Sequence, residues 1–582
     1  MTVLQRPDRV GLSQTAGGSG VPLARDRIRG RFSVEGRLVG WASAIGVALF
    51  AFALRLYHLG SPRQFEFDET YYAKDGWSLL NNGYVRSHVE TVGGEDGPKV
   101  NDAILDGTTT GIWTDQPSMT VHPDVGKWLI ALGEKAFGMD PFGWRISAAV
   151  VGALMVLVMC RLARRLTGST MLGCVAGLLL SLDGLHFVLS RLALLDIFLA
   201  FFLLAGVACV VNDRYWYRAR MASALDARGD ADDGQVRRAD DWGPVRPLLL
   251  RPWLLLGGVC FGLAVGTKWT AVVPLAAFGI LVWLWSAGAR RSFGVRWSLL
   301  RSALVDGLPA FGHLVLVALA VYVVSWSGWL TNAGEYEENL SSTQYTRFVS
   351  EGETCDDEPV LDDDRWPTAN QADASGPAEA VQSLRSLWSY HQDLYTFHAH
   401  FLNCSDHSYE SQPSGWLFIN RPVGVAADTD IAPGTRGCDA PAGSDCLRQV
   451  LLIGTPMIWW GGILALLFAV AMWLGARDWR YGLAVIGTAS TWLPWLLYDD
   501  RPIFIFYAIA MLPFVVLALT LAMGKLIGPS RMPSTRRTTG VIVAGSYFVL
   551  VVINFAWFWP IWTNQLLTHS EWLNRIWFER WI

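Results

Sequence analysis

The chain has 582 residues, of which 52% are hydrophobic and 17% are charged. Soluble globular proteins carry about 25% charged residues, so this composition excludes a soluble protein and indicates a polytopic membrane protein. The net charge of −4 is small, and the more informative feature is how charge divides between the loops. The 29 tryptophans suit an aromatic belt at the membrane surface.

A basic segment rich in Gly, Pro and Arg opens the chain. Residues 1–37 contain seven arginines and three acidic residues, and we interpret them as a disordered cytosolic tail. The apolar run at 38–57 follows this long basic lead without a small-residue cleavage site. This pattern favours a retained first helix whose N-terminus is cytosolic over a removed signal peptide.

Eleven apolar runs approach the roughly 20 residues that are needed to cross a bilayer core. The predicted fold is therefore an all-α polytopic membrane protein with about 11 transmembrane helices and long external loops between helices 1 and 2 and between helices 7 and 8. The runs lie at 38–57, 143–165, 170–188, 192–211, 251–267, 270–286, 308–329, 452–475, 481–498, 503–524 and 539–560.

The predicted domains follow from these runs. They are an N-terminal transmembrane core at 38–330 with an external loop at 58–142, an external loop or cap at 331–451, C-terminal transmembrane helices at 452–560, and an external amphipathic tail at 561–582.

The distribution of charged residues between the loops predicts how these helices are oriented in the membrane. Arginine pairs such as Arg164 with Arg165 and Arg290 with Arg291 lie in segments that the count makes cytosolic, whereas the segment 331–451 has six arginines and twenty acidic residues. This asymmetry follows the positive-inside rule. An odd number of spans places the C-terminus outside, in a plasma-membrane protein.

Basic residues at the external ends of helices depart from that rule. Any one of them is explained by a snorkelling side chain or a structural ion pair. Six on one face, none of them required for topology, indicate a shared anionic ligand. The six are His122, Lys127, Arg145, Arg191, Lys268 and Arg501.

Acidic residues in two places accompany these cations. Asp68 and Glu69 lie among aromatic residues shortly after the first span, where a charged group must be solvated, paired or used. Asp196 lies within the fourth span, where an acid faces the bundle interior and has a partner. A structural ion pair and a functional role are equally open for Asp196.

Two helices and a disulfide are predicted in the external loops. Helical spacing from Val125 indicates a short membrane-surface helix with His122 at its N-terminal edge, and a second helix is predicted over 380–401. Four cysteines lie in the segment 331–451, where an oxidising compartment favours disulfides. Proximity favours Cys438 with Cys446, and Cys355 and Cys404 complete the four.

Motifs for nucleotides and metals are absent from the sequence. No Walker-type or GxGxxG loop is placed to cradle a nucleotide, and no Cys/His spacing or acidic cluster builds a metal site. We therefore expect no cofactor, with a divalent metal requirement left open, and no nucleic-acid partner.

One type of reaction requires a single carboxylate and several nearby cations. A sugar linked to a lipid phosphate leaves behind a phosphate anion, which needs cations and hydrogen-bond donors and no proton donor. The acceptor hydroxyl needs one carboxylate base, unlike glycoside hydrolysis with its two acids. Asp68 with the external cations meets that demand.

Motifs in order along residues 40 to 525 resemble the protein O-mannosyltransferases, in their smaller bacterial form. The matching runs are Phe67 to Tyr72, His122-Pro123 with Gly126 to Trp128, Gly143 to Ile146, Ser190-Arg191 with Leu194 to Asp196, Gly266 to Thr270, and Ser411 to Val423.

The resemblance implies a GT-C fold that transfers mannose, with inversion, from a polyprenyl-phosphate-mannose donor to Ser or Thr of secreted proteins. It implies Asp68 as the base and Glu69 as a residue that positions the acceptor. Arg145 matches a basic residue that the family needs near the site, and Lys268, Arg191 and Arg501 are candidates for the lipid phosphate. The expected partners are the lipid donor, secreted polypeptides, membrane lipids and the secretion translocon.

This sequence departs from the family pattern in two places. Asp124 stands where the family often has a second proline, and the β-trefoil domain of eukaryotic members is not evident in the loop 331–451.

The alternative enzyme is a GT-C transferase with a glycolipid or glycan acceptor. A transporter, with intramembrane charges along its pathway, is the alternative from another class.

Overall fold

The computed structural model describes residues 34–227, 242–342, 366–399, 401–498, 500–528 and 534–582. The cytosolic-tail prediction for residues 1–33, and Cys355, lie outside these ranges. The helices are α1 Val34–Leu56, α2 Glu69–Asn82, α3 Val100–Leu105, α4 Val125–Phe137, α5 Pro141–Thr167, α6 Thr170–Ser181, α7 Gly184–Leu189, α8 Leu195–Ala227, α9 Pro252–Val265, α10 Val272–Ser292, α11 Ser298–Ser325, α12 Ser327–Thr331, α13 Ala333–Leu340, α14 Pro377–Ala399, α15 Pro456–Leu474, α16 Trp479–Trp492, α17 Leu512–Ile527, α18 Thr535–Trp562 and α19 His569–Leu573.

Strands are few and lie outside the helical bundle. β1 (Arg86–His88) pairs antiparallel with β2 (Trp113–Pro117), and β3 (Val423–Ile431), β4 (Cys446–Leu452) and β5 (Leu567–Thr568) form a three-stranded antiparallel sheet. The all-α membrane class is therefore confirmed.

Eight helices in the described residues are long and apolar enough to cross a membrane. They match eight of the eleven predicted runs. The other three runs correspond to the shorter helices α6, α16 and α17, which have 12, 14 and 16 residues. α16 and α17 are each extended by a turn of 3₁₀ helix, at Leu493–Leu497 and Ile505–Ala510. The number of spans stays a prediction.

The centre of the bundle is formed by α5, α8 and α17. α8 is apolar on all sides over 197–211, and the faces of α17 are buried from Leu512 to Leu521. A helix without a polar face packs stably only when other helices surround it or lipid covers it. α1 and α11 lie at the periphery and leave most of their length exposed to lipid.

Both loop helices predicted from the sequence are present, as α4 and α14. α2 packs on α4, and α4 packs on α5, so the first loop is anchored to the bundle. α14 carries the buried Tyr390, whose hydroxyl donates to the carbonyl of Thr120 at 2.9 Å. The two long loops therefore contact each other above the helices.

The predicted Cys438–Cys446 disulfide is confirmed, with Cα atoms 5.7 Å apart. Cys404 is disulfide-bonded as well. In the predicted tail at 561–582, α18 ends at Trp562 and the short helix α19 spans His569–Leu573. The indole of Trp581 is buried and donates to the carbonyl of Ile419 at 2.9 Å, so the tail packs on the protein.

Candidate active site

The turn that precedes α2 is held by its two phenylalanines. Phe65 stacks on Trp144 of α5, with ring centroids 4.6 Å apart. Phe67 has a φ of +51°, which is costly for a side chain of this size, and its ring contacts Phe504 and Phe506 at 5.4 and 5.6 Å. Backbone in this region persists only where the surroundings impose it. The aromatic contacts therefore fix the direction of the next residue, Asp68.

Asp68 occupies the N-cap position of α2 but does not cap it. Its side chain accepts no hydrogen bond from the helix backbone. Among the described residues, it accepts one long hydrogen bond, 3.4 Å, from the Tyr72 hydroxyl. Burial raises the pKa of Asp68 to about 6, the charge of Lys268 opposes this rise, and that of Asp196 adds to it. A carboxylate with this pKa is ionised at neutral pH and is a competent proton acceptor.

Lys268 and Asp196 form a buried ion pair beside Asp68. The Lys268 ammonium donates to both carboxylate oxygens of Asp196, at 3.0 and 2.8 Å. The ammonium also lies 4.9 Å from the centre of the Tyr507 ring. Asp196 therefore has the interior partner that the sequence predicts, and that partner is one of the predicted phosphate-binding cations.

Two histidines and an arginine lie near Tyr72 and Lys268. Together with Asp68, these residues are called the Asp68 cleft below. His122 and His398 are stacked, with ring centroids 5.3 Å apart, and Arg501 donates to the His398 carbonyl at 2.8 Å. Burial and the neighbouring cations lower the pKa of His122 well below its ordinary value, and burial lowers that of His398 to about 4. The lowered pKa disfavours the protonated form of both rings, so His122 offers hydrogen bonding, and its role at an anionic ligand stays a prediction.

Glu69 follows Asp68 in the chain, but its side chain points toward Arg145 of α5. Its carboxylate accepts from Arg145 Nε at 2.8 Å and Nη2 at 2.6 Å, and from the backbone N–H of Ala193 and Glu66 at 2.9 and 3.0 Å. Four donors satisfy both oxygens, and the side chain is fully buried. Protein donors occupy both Glu69 oxygens in this structure, and the implied contact of Glu69 with an acceptor stays a prediction.

Arg145 is equally committed. Besides Glu69, its guanidinium donates to the carbonyls of Leu59, Pro62 and Gln64. All three nitrogen atoms donate to protein groups, and the residue is fully buried. This geometry does not favour a direct contact of Arg145 with lipid phosphate, which stays a prediction. The pair Glu69–Arg145 ties α2, α5 and the segment before α2 together, which positions Asp68.

Arg191 and Lys127 also lie outside the cleft. Arg191 donates to the carbonyls of Tyr57, His58 and Trp562, which tethers the ends of α1 and α18. Lys127 is paired with Asp75 at 3.1 Å and with Asp124 at 3.4 Å, between α2 and α4. Of the six predicted cations, Lys268 acts directly on the Asp68 carboxylate. Arg501 lies beside His398, which stacks on His122.

Three residues of the cleft were missed in the sequence, namely Tyr72, His398 and Tyr507. Tyr72 is four residues after Asp68 on α2, so helical spacing offered a signal. His398 and Tyr507 come from segments more than 300 residues away, and no local pattern links them to Asp68. Glu66 was not singled out either. Burial and the adjacent Glu69 raise its pKa to about 8, so it is protonated at neutral pH.

The described residues contain no group of three His, Cys, Asp or Glu side chains that is arranged to hold a metal ion. Positive charge in the cleft comes from Lys268 and Arg501. Arg501 Nε donates to no described residue. The arrangement therefore offers one proton acceptor, Asp68, beside fixed cations that can stabilise an anion.

Two family models match this sequence. The model described as Dolichyl-phosphate-mannose-protein mannosyltransferase matches residues 121–223, and the model described as C-terminal four TMM region of protein-O-mannosyltransferase matches residues 383–581. The first range contains His122, Lys127, Arg145, Arg191 and Asp196, and the second contains His398, Arg501 and Tyr507.

Curated relatives match along nearly the whole chain. The polyprenol-phosphate-mannose–protein mannosyltransferase of Mycolicibacterium smegmatis (strain MKD8) is 34% identical over 553 residues, which cover 94% of this chain and 93% of the relative. The protein of the same name from Mycobacterium tuberculosis (strain H37Rv) is 34% identical over 551 residues, covering 94% and 92%. That of Corynebacterium glutamicum is 31% identical over 540 residues, covering 92% of each.

A solved structure shares the fold. The Saccharomyces cerevisiae protein O-mannosyltransferase Pmt1–Pmt2 complex bound to the sugar donor superposes with a TM-score of 0.62 at 15% sequence identity, covering 96% of this chain and 94% of the matched chain. The likeness therefore extends from the bundle to the external loops, and the GT-C fold is confirmed.

Proposed function

This chain belongs to the protein O-mannosyltransferase family, and from that premise we propose that it transfers mannose from a polyprenyl-phosphate-mannose donor to Ser and Thr hydroxyls of secreted proteins. The family relationship supports donor and acceptor class, since the curated relatives are named for both. The observation that carries the chemistry is the contrast between Asp68, which is left without a cap bond, and Glu69, which is fully bonded.

In the proposed step the acceptor hydroxyl oxygen attacks the anomeric carbon of mannose from the face opposite the phosphate. The bond between that carbon and the phosphate oxygen breaks, and the polyprenyl phosphate leaves with the electron pair. The hydroxyl proton passes to the Asp68 carboxylate. A single direct displacement inverts the anomeric carbon, and one carboxylate is sufficient because the leaving phosphate needs no proton.

Lys268 and Arg501 are the proposed contacts of the donor phosphate. The ammonium of Lys268 uses two hydrogen bonds on Asp196, and an ammonium has three donors, so one remains. Arg501 Nε is free of described partners. Fixed charges of this kind stabilise the phosphate as it gains charge and need little reorganisation. Neutral His122 is placed to donate or accept a hydrogen bond at the same site.

Charge asymmetry supports the orientation we propose. The end of the bundle opposite Asp68 carries the arginines at the ends of α5 and α10, and the positive-inside rule places such an end in the cytosol. The Asp68 cleft and the C-terminus then face outward. A secretion translocon that delivers unfolded acceptors to this face is the proposed partner.

The test is product analysis in proteoliposomes. Enzyme is incubated with labelled polyprenyl-phosphate-mannose and either a Ser/Thr-rich peptide or the same peptide with each Ser and Thr changed to Ala. We expect label on the first peptide only, with the anomer inverted relative to the donor by NMR. Transfer to membrane glycolipid in place of peptide would contradict the acceptor class, and retained configuration would contradict direct displacement.

A chelator arm tests the expectation that no cofactor beyond the lipid donor is needed. If Lys268 and Arg501 supply the positive charge at the phosphate, EDTA leaves the transfer rate unchanged. A loss of rate that is restored by one added divalent cation would overturn that part of the proposal.

A further inference from the structure

An apolar groove lies on the lipid-facing side of the C-terminal helices, away from the Asp68 cleft. α15 and α18 form its walls and α17 forms its floor, around a cavity of about 860 Å³. Leu464 and Phe468 of α15 and Val543 of α18 line it with exposed side chains, and Leu519 and Met523 lie at its base. Its walls therefore suit a hydrocarbon chain.

The groove is closed at the end nearer the Asp68 cleft. There the Tyr547 hydroxyl donates to the carbonyl of Met457 at 2.7 Å, and its ring occupies the space that a side chain at residue 461, a glycine, would need. From Gly461 to Met472 the lining covers about 16 Å of helix at 1.5 Å per residue, roughly half of a 30 Å hydrocarbon core. The groove therefore has the depth of one leaflet.

The open end of the groove is cationic. Lys525 lies in the last turn of α17, and Arg536 lies in the first turn of α18, where Thr535 and Thr539 add hydroxyl groups. Apart from Tyr547, these are the polar side chains that line the cavity. Basic residues at this depth attract anionic headgroups.

We propose that this groove binds an anionic glycerophospholipid of the leaflet opposite the Asp68 cleft. One acyl chain lies between α15 and α18, and the headgroup phosphate lies at Lys525 and Arg536. The closure at Tyr547 favours an acyl chain over a polyprenyl chain, because a chain much longer than one leaflet meets that barrier. The bound lipid would contact both α15 and α18, which form the walls of the groove.

The experiment uses the full-length enzyme in nanodiscs that contain phosphatidylcholine with photoactivatable phosphatidylglycerol or photoactivatable phosphatidylcholine. Mass spectrometry of the digested protein locates the cross-link. We expect the phosphatidylglycerol probe to label α15 and α18 groove residues at least tenfold more than the phosphatidylcholine probe. In Lys525→Gln/Arg536→Gln this preference falls about fivefold for each cation removed, since each contributes about 1 kcal/mol.

Two further variants serve as controls. Arg291→Gln removes an exposed cation at the same end of the bundle, on α10, and keeps the preference unchanged. Ala544→Phe fills the groove and lowers labelling by both probes, while thermal melting shows whether the variant is folded. Excess inorganic phosphate leaves the labelling unchanged, because the acyl chain holds the lipid.

Several results would overturn the proposal. Equal labelling by the two probes would remove the charge preference. Displacement of the phosphatidylglycerol probe by polyprenyl phosphate, or by inorganic phosphate alone, would assign the groove to another ligand. Cross-links between two copies of the chain at Leu464 would assign it to a protein interface.

Discussion

Buried ion pairs at the two ends of the helical bundle differ in how completely they are satisfied. At the end away from Asp68, Arg251 donates to Asp213 and to Ser286, with all three guanidinium nitrogen atoms used. Arg290 binds both oxygens of Asp306, at 2.5 and 2.7 Å. At the other end, the Glu69–Arg145 pair is equally satisfied. Within the described residues, however, Lys268 uses two of its three donors, on Asp196, and Asp68 accepts one long hydrogen bond.

The difference separates residues that hold the bundle from residues that are available for chemistry. A buried charge is tolerated when its partners saturate it, and a group left short of partners marks a site where a ligand completes the set. Glu69 and Asp68 show the same contrast within two adjacent residues. The number of hydrogen-bond partners, rather than the presence of charge, distinguishes Asp68 from Glu69.

The largest expected effect comes from Arg145→Met. Removing one partner leaves Glu69 buried and unpaired, which costs about 3–5 kcal/mol of folding free energy. It also frees the turn that positions Asp68, so kcat per folded enzyme falls together with the melting temperature. Melting in detergent and transfer assays measure both. If the variant had normal stability and weak donor binding, Arg145 would instead be a ligand of the donor phosphate.

Arg251→Met is the matched change at the opposite end. Asp213 is left unpaired, and we expect a stability loss of similar size, about 3 kcal/mol. Because this pair holds helices and touches no substrate, kcat per folded enzyme stays at the wild-type value. A fall in kcat as large as that of Arg145→Met would contradict the claim that the Arg251–Asp213 pair stabilises the bundle without affecting catalysis.

Lys268→Met is expected to weaken donor binding about tenfold or more, since a charge-assisted hydrogen bond contributes about 1.5–3 kcal/mol. Titration with a non-transferable lipid phosphate measures the Kd. Lys135→Met, an exposed lysine on α4, is the control and leaves the Kd unchanged. Equal affinity in both variants would remove Lys268 from the phosphate site.

The smallest expected effect is a shift in the pH dependence of kcat/KM in Asp196→Asn and Lys268→Met. Asp68 must be ionised to accept a proton, so kcat/KM falls about tenfold per pH unit below its pKa of about 6. Asp196→Asn removes the negative neighbour that raises the pKa of Asp68, which moves the acidic limb to lower pH. Lys268→Met removes the opposing positive charge and moves it to higher pH. Shifts in the same direction for both variants would contradict this electrostatic assignment.

Predictions from the sequence were most successful where one local pattern decides the outcome. The apolar runs gave the helices, the spacing after Val125 gave α4, and the short interval between Cys438 and Cys446 gave the disulfide. The run at 503–524 was predicted as one helix, but Pro513 lacks a backbone N–H, and the helix begins only at Leu512 after a 3₁₀ turn.

The site was only partly predictable, because the partners of each charge come from distant segments. Asp68 and Glu69 look equivalent in the sequence. Arg145, 76 residues further on, and the backbone of Ala193, 124 residues further on, donate to Glu69 and not to Asp68. Arg191 resembles a ligand for phosphate until the fold supplies three carbonyl groups to its guanidinium.

The most direct test of the central claim is single-turnover transfer by Asp68→Asn, measured with donor binding on the same preparation. If Asp68 accepts the hydroxyl proton, the variant binds donor with wild-type affinity and melts normally, and its transfer rate falls by about 10²–10⁴. Asp106→Asn, an exposed acid of the same loop, keeps the wild-type rate. Transfer by Asp68→Asn within a few-fold of wild type would contradict the claim.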